Sequence, residues 1–101
     1  SVYRSASSAV FGEQEIPEGA YFAMQGDTVL SVGADAAGTV LEALSAAGAD
    51  EKCDLTLYTG ENFDDSVLPA IEAGVRTLNP SLRMETRRGG QPREQLIISL
   101  E

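Results

Sequence analysis

The feature that most constrains this chain is the apolar run LIISL at residues 96–100, which follows a turn rich in glycine and proline. A nearly unbroken apolar run this short is typical of a strand with both faces covered, not of an edge strand or a surface helix. Gly89 and Gly90 can adopt positive φ, while Pro92 fixes its own φ and restricts Gln91. The pattern therefore predicts a sharp turn into a central strand of a sheet.

Two amphipathic helices are predicted before this strand. Asp35 can cap the first, and Gly48 suits the position just past its end. Its apolar face is Ala37, Val40, Leu41, Leu44 and Ala47. The second helix covers residues 65–78, and Pro69 requires it to start late or to kink. Its buried stripe is Val67, Leu68, Ile71, Val75 and Leu78.

Strands are predicted around the helices, at residues 2–6, 54–59 and 82–87, with a hairpin formed by residues 20–25 and 28–32. Residues 7–12 read as a looser segment, 13–15 as an acidic stretch and 16–19 as a turn. The predicted fold class is α+β in two layers: a mixed sheet of five to six strands with both helices on one face. We expect residues 1–101 to form a single domain, the C-terminal subdomain of a larger protein.

The charge balance limits the possible partners. Sixteen acidic and seven basic residues give a net charge of −9, which argues against binding nucleic acid or anionic membranes. It favours a basic partner, or serves solubility alone. The acids are concentrated in residues 1–66, and no apolar run is long enough to span a membrane.

Cysteine and histidine usage narrows the chemistry further. Cys53 is the single cysteine, so no internal disulfide exists, and we expect a reducing cytoplasmic environment. Acidic neighbours disfavour its thiolate, so we expect a buried or half-buried structural cysteine instead of a redox thiol. Histidine is absent, which removes the commonest general base and the nucleophile pairs that depend on it.

Four stretches in order along the chain carry a resemblance to a known family: IPEGAYF at 16–22, LTLYTGE at 55–61, GGQP at 89–92 and LIISLE at 96–101. Together they resemble the C-terminal region of the bacterial fatty acid kinase large subunit, of the dihydroxyacetone-kinase-like (DAK phosphatase) family with a DegV-related fold. The resemblance implies a non-catalytic module that docks a DegV-like fatty-acid-binding protein and contacts the other domains of its parent chain. It implies no cofactor in this region, with ATP and magnesium bound by the parent's N-terminal domain.

Two segments are the candidate partner-binding sites. Glu61, Asp64 and Asp65 could bind a basic partner, or could simply form a solvated loop and helix cap. Gly89, Gly90, Gln91 and Pro92 could contact a partner or cradle an anion with successive N–H groups, or could serve only as a turn. A weaker candidate for the acidic surface is Asp50, Glu51 and Asp54.

Two other functions are kept open beside docking. The first is a stand-alone DegV-like lipid-binding module, although the aromatic residues suit a core better than an acyl pocket. The second is an enzyme that uses paired carboxylates, and the only sequence feature in its favour is the abundance of acidic residues.

Overall fold

The computed structural model describes residues 1–11 and 13–101, which form a mixed sheet, a separate short strand pair and two helices. The strands are β1 (Val2–Arg4), β2 (Ala9–Phe11), β3 (Gln14–Ile16), β4 (Tyr21–Gln25), β5 (Thr28–Gly33), β6 (Asp54–Thr59), β7 (Arg83–Arg88) and β8 (Leu96–Leu100). The helices are α1 (Ala36–Ala46) and α2 (Leu68–Leu78).

The main sheet has six strands in the order β5-β4-β1-β8-β6-β7. Strands β6 and β7 run parallel, and the other neighbouring strands run antiparallel. The apolar run at residues 96–100 lies between β1 and β6, so the prediction of a central strand is confirmed.

The hydrophobic core lies between one face of this sheet and both helices. Leu96 pairs with Val2 on one side and Thr59 on the other, and all three are buried. Buried residues of both helices belong to the same core cluster, namely Val40, Ala43 and Leu44 of α1 with Ile71 and Val75 of α2. The predicted two-layer α+β architecture is therefore confirmed.

The opposite face of the sheet is more open than the sequence predicts. Ile97 is paired with Tyr58 and remains 36% exposed. On the same face, the rings of Tyr3 and Phe22 stack with their centroids 5.2 Å apart and are half-buried. The expectation that both faces of β8 are covered is wrong for Ile97, because the two helices cover only the other face.

The helix boundaries follow their predicted signals. The Asp35 carboxylate accepts a 2.9 Å hydrogen bond from the Gly38 N–H, and Gly48 follows the helix with φ of 81°. Pro69 lies in the first turn of α2, which begins late, after a 3-10 turn at Asp65–Val67. The burial of α1 is shifted from the predicted face: Ala36, Thr39 and Ala43 are buried, whereas Ala37, Leu41 and Ala47 are half-buried.

The segment predicted as loose, residues 7–12, contains one strand, which pairs with a second strand in the stretch predicted as acidic and at the start of the predicted turn. Ala9 pairs with Ile16 and Val10 with Glu15, as β2 and β3. Three-residue strands are shorter than the alternation needed to recognise a strand from its sequence. Gly12, part of the same prediction, lies outside the described residues.

The prediction of a buried or half-buried Cys53 is wrong, since its side chain is exposed. Its backbone is used at the start of β6: the N–H donates to the Glu101 carbonyl, and the carbonyl accepts from the Arg83 N–H. This main-chain role fixes Cys53 at the sheet margin without burying the thiol.

Candidate docking site

The two segments predicted to bind a partner meet at one end of the sheet. Because β6 and β7 are parallel, their last residues Thr59 and Arg88 are neighbours, and the loops that follow lie side by side. The Glu61 N–H donates to the Gln91 carbonyl over 3.0 Å. Residues 60–66, which carry the predicted acids, thus contact residues 89–95, which carry the glycine-proline turn.

The glycine-proline turn uses its N–H groups inside the protein. The amides of Gly89 and Gly90 both donate to the Thr59 carbonyl at 2.9 Å. The Gln91 side-chain amide donates to the Tyr58 carbonyl at 2.8 Å. These bonds favour a structural role for the turn over an anion cradle, and they leave Pro92 and the two glycines exposed at the surface.

Gly60 allows the two loops to approach closely, which the sequence interpretation missed. A Cβ on this buried residue would lie 2.1 Å from the Glu94 carbonyl oxygen and 3.0 Å from that of Gln91. No side chain fits there. A glycine directly after a strand is a known signal for close backbone approach, so this role was open to detection from the sequence.

The acids of the first loop differ in their local bonding. Asp64 accepts hydrogen bonds from the Ser66 hydroxyl at 2.7 Å and the Ser66 N–H at 3.0 Å. Asp65 lies 3.8 Å from Arg88, and both side chains are largely exposed. Glu61 is exposed at the same surface.

The Ser66 hydroxyl, followed by the Ser66 N–H, holds the pKa of Asp64 below its ordinary value. We expect Ser66→Ala to raise this pKa toward the ordinary aspartate value of about 3.9. In the wild type, the associated stabilisation is present above that ordinary value and is lost as pH falls through the lowered folded-state pKa. A carbon-13 NMR titration of the Asp64 carboxyl measures the shift; an unchanged midpoint in the variant would contradict the assigned cause.

Acidic side chains extend beyond these two loops. Strands β1, β5, β6 and β7 all finish at this end of the sheet. We call the last residue of each of these strands, together with the segment that follows it, the acidic end. Its acids are Asp35, Glu61, Asp64, Asp65 and Glu94, and Glu18 lies beside it because the chain enters β4 at the same end. Its bases are Arg4, Arg88 and Arg93. The surface is thus predominantly acidic, and the sequence interpretation missed the arginines.

The weaker acidic candidate lies elsewhere. Asp50 and Glu51 occupy a 3-10 turn between α1 and the start of β6, at the opposite end of the sheet. Asp54 forms a 2.8 Å ion pair with Arg83. The structure therefore separates these residues from the acidic end.

Within 1–11 and 13–101, no helix combines the length and apolar character needed to cross a membrane. Nor does this part of the chain group three His, Cys, Asp or Glu side chains in a way that could hold a metal ion.

Comparison with known proteins identifies the chain at the level of family. The family model for the C-terminal region of fatty acid kinase A-like subunits matches residues 1–101. An uncharacterized protein of Staphylococcus aureus is 29% identical over 87 residues, which cover 86% of this chain and 16% of that protein. The chain thus spans about a sixth of this curated relative's length. From the match over its whole length, the chain belongs to the family of fatty acid kinase A-like subunits and corresponds to their C-terminal region.

Proposed function

We propose that this region is a protein-docking module, which binds a DegV-like fatty-acid-binding protein through the acidic end. In this proposal the module does no chemistry itself. It holds the carrier so that the carrier's acyl chain reaches the kinase domains of the parent protein. Membership of the fatty acid kinase family supports the context, while the choice of partner rests on the resemblance described above.

The observation that carries the proposal is the convergence of two distant sequence segments into one exposed acidic surface. Glu61, Asp64 and Asp65 project from a loop braced by the glycine-proline turn. A backbone held by internal hydrogen bonds under charged side chains suits recognition, because less ordering is required on binding. Acidic groups at a surface attract a basic partner and accelerate its association.

Charge reversal at the acidic end tests this proposal. In the full-length protein, the double variant Glu61→Arg with Asp65→Arg should weaken binding of the carrier at least about tenfold at low salt, since like charges across an interface repel. Isothermal titration calorimetry or biolayer interferometry at rising salt measures the effect. The wild-type affinity should also fall as salt screens the attraction.

The matched control is Asp50→Arg with Glu51→Arg, which makes the same change in net charge at the opposite end of the sheet. We expect this control to alter the affinity less than about twofold, as for charges remote from an interface. Equal losses in the two double variants would show a response to net charge alone and would reject the acidic end as the docking surface. The alternative of a stand-alone lipid-binding module stays a prediction.

A further inference from the structure

Strand β8 is paired on one side along its whole length but on the other side only at its beginning. Against β6, the pairing runs continuously from Leu96↔Thr59 to Leu100↔Leu55. Against β1, it consists of the single pair Val2↔Leu96. Among the described residues, no strand lies beside the rest of β8 on the β1 side.

The N–H groups of β8 that remain unpaired on its β1 side can be identified from the hydrogen bonds between β6 and β8. Asp54 and Glu101 exchange two hydrogen bonds of 2.9 Å, and N–H groups in an antiparallel strand alternate between its two sides. Ser99 therefore directs its N–H toward β6, while Ile98 and Leu100 direct theirs toward the β1 side. A central strand with such an unpaired edge is a template for another strand.

An open cavity lies beside this unpaired edge. It has a volume of about 340 Å³ and is lined by Leu30, Ala47, Ile98 and Leu100, with Gln25 and Gly26 at its far side. Leu30, Ile98 and Leu100 are only half-buried although they pack against the core. We call the gap between residues 98–100 and residues 25–26, with the cavity beneath it, the strand slot.

At Ser1 the backbone of β1 is still paired with β4 and lies at the entrance of the strand slot. The Ser1 amine donates to the Met24 carbonyl and the Ser1 carbonyl accepts from the Met24 N–H, each at 2.8 Å, so the β1–β4 ladder is still intact at this residue. Burial lowers the pKa of the Ser1 amine, against the opposing effect of the Glu94 carboxylate.

We propose that in the full-length protein the strand slot is filled by a strand that continues β1 on the amino-terminal side of Ser1. In the observed register, the residue immediately before Ser1 would pair with Ile98, and the third residue before it would pair with Leu100. Both would have the orientation of Val2, so their side chains enter the cavity and are apolar. Because this chain covers 16% of its relative's length, such proteins have ample further chain to supply the strand.

Amide hydrogen exchange on the full-length protein tests the proposal. The N–H groups of Ile98 and Leu100 should be protected to within about tenfold of the Ser99 N–H, which is bonded to β6 in either case. Exchange at Ile98 and Leu100 faster than at Ser99 by about 100-fold or more would show an open slot and overturn the proposal. Protection that arises only when the fatty-acid-binding protein is added would assign the slot to that partner and would also overturn it.

Replacing either of two neighbouring alanines with tryptophan tests whether the amide protection of Ile98 and Leu100 depends on the cavity. Ala47 lines the cavity, whereas its neighbour Ala46 is exposed and does not. In the full-length protein, Ala47→Trp should obstruct the strand and deprotect Ile98 and Leu100 while Ser99 stays protected, which reports an intact fold. Ala46→Trp should leave all three amides unchanged. The same response to both variants would contradict the proposal, and neither variant touches the acidic end.

Discussion

Replacing Gly60 with alanine is expected to lower the free energy of unfolding by about 3 kcal/mol, at the upper end of the range for overpacking a filled site. The added Cβ would lie 2.1 Å from the Glu94 carbonyl oxygen, a backbone atom that cannot rotate away. The loops of the acidic end would have to separate, so carrier binding should weaken as well. Denaturant unfolding measures the stability change.

Gly90→Ala is the matched control for this variant. Gly90 lies in the adjoining loop with φ of 73°, and a Cβ there would meet no atom within 4 Å. We expect Gly90→Ala to lower the free energy of unfolding by about 1 kcal/mol, because alanine disfavours this positive φ. If Gly60→Ala proved no more destabilising than Gly90→Ala, the close approach of the two loops would be wrong.

The second large effect is expected in the central strand. Leu96→Ala should cost about 3 kcal/mol, because Leu96 is fully buried among both helices and the neighbouring strands. Ile97→Ala should cost less than about 1 kcal/mol, since Ile97 is 36% exposed on the open face. Comparable losses from the two variants, measured by denaturant unfolding, would mean that the open face is covered after all.

Local signals in the sequence were sufficient to predict most elements. Asp35 and Gly48 mark the ends of α1 because a carboxylate satisfies free N–H groups and glycine tolerates positive φ. The alternation in residues 54–59 predicts β6 because strand side chains alternate between faces. Gly26 and Asp27 predict the β4–β5 hairpin, because a two-residue turn that begins with glycine favours antiparallel pairing of the flanking strands.

Features that depend on the order of the strands in the sheet could not be predicted from short stretches of sequence. The apolar character of Ile97 predicts burial, but its exposure depends on which face the helices cover. Likewise, the acids near Glu61 and the turn at Gly89 were recognised separately. Their meeting depends on the parallel pairing of β6 with β7, which also brings Arg88 beside Asp65.

The most direct test of the docking account is a footprint of the carrier on the full-length protein. Amide hydrogen exchange, measured with and without the DegV-like fatty-acid-binding protein, should show slower exchange in residues 60–66 and 89–95 on binding. Residues 49–53, at the opposite end of the sheet, should not change. Slower exchange confined to residues 49–53, or to the open face around Tyr58 and Ile97, would contradict the account.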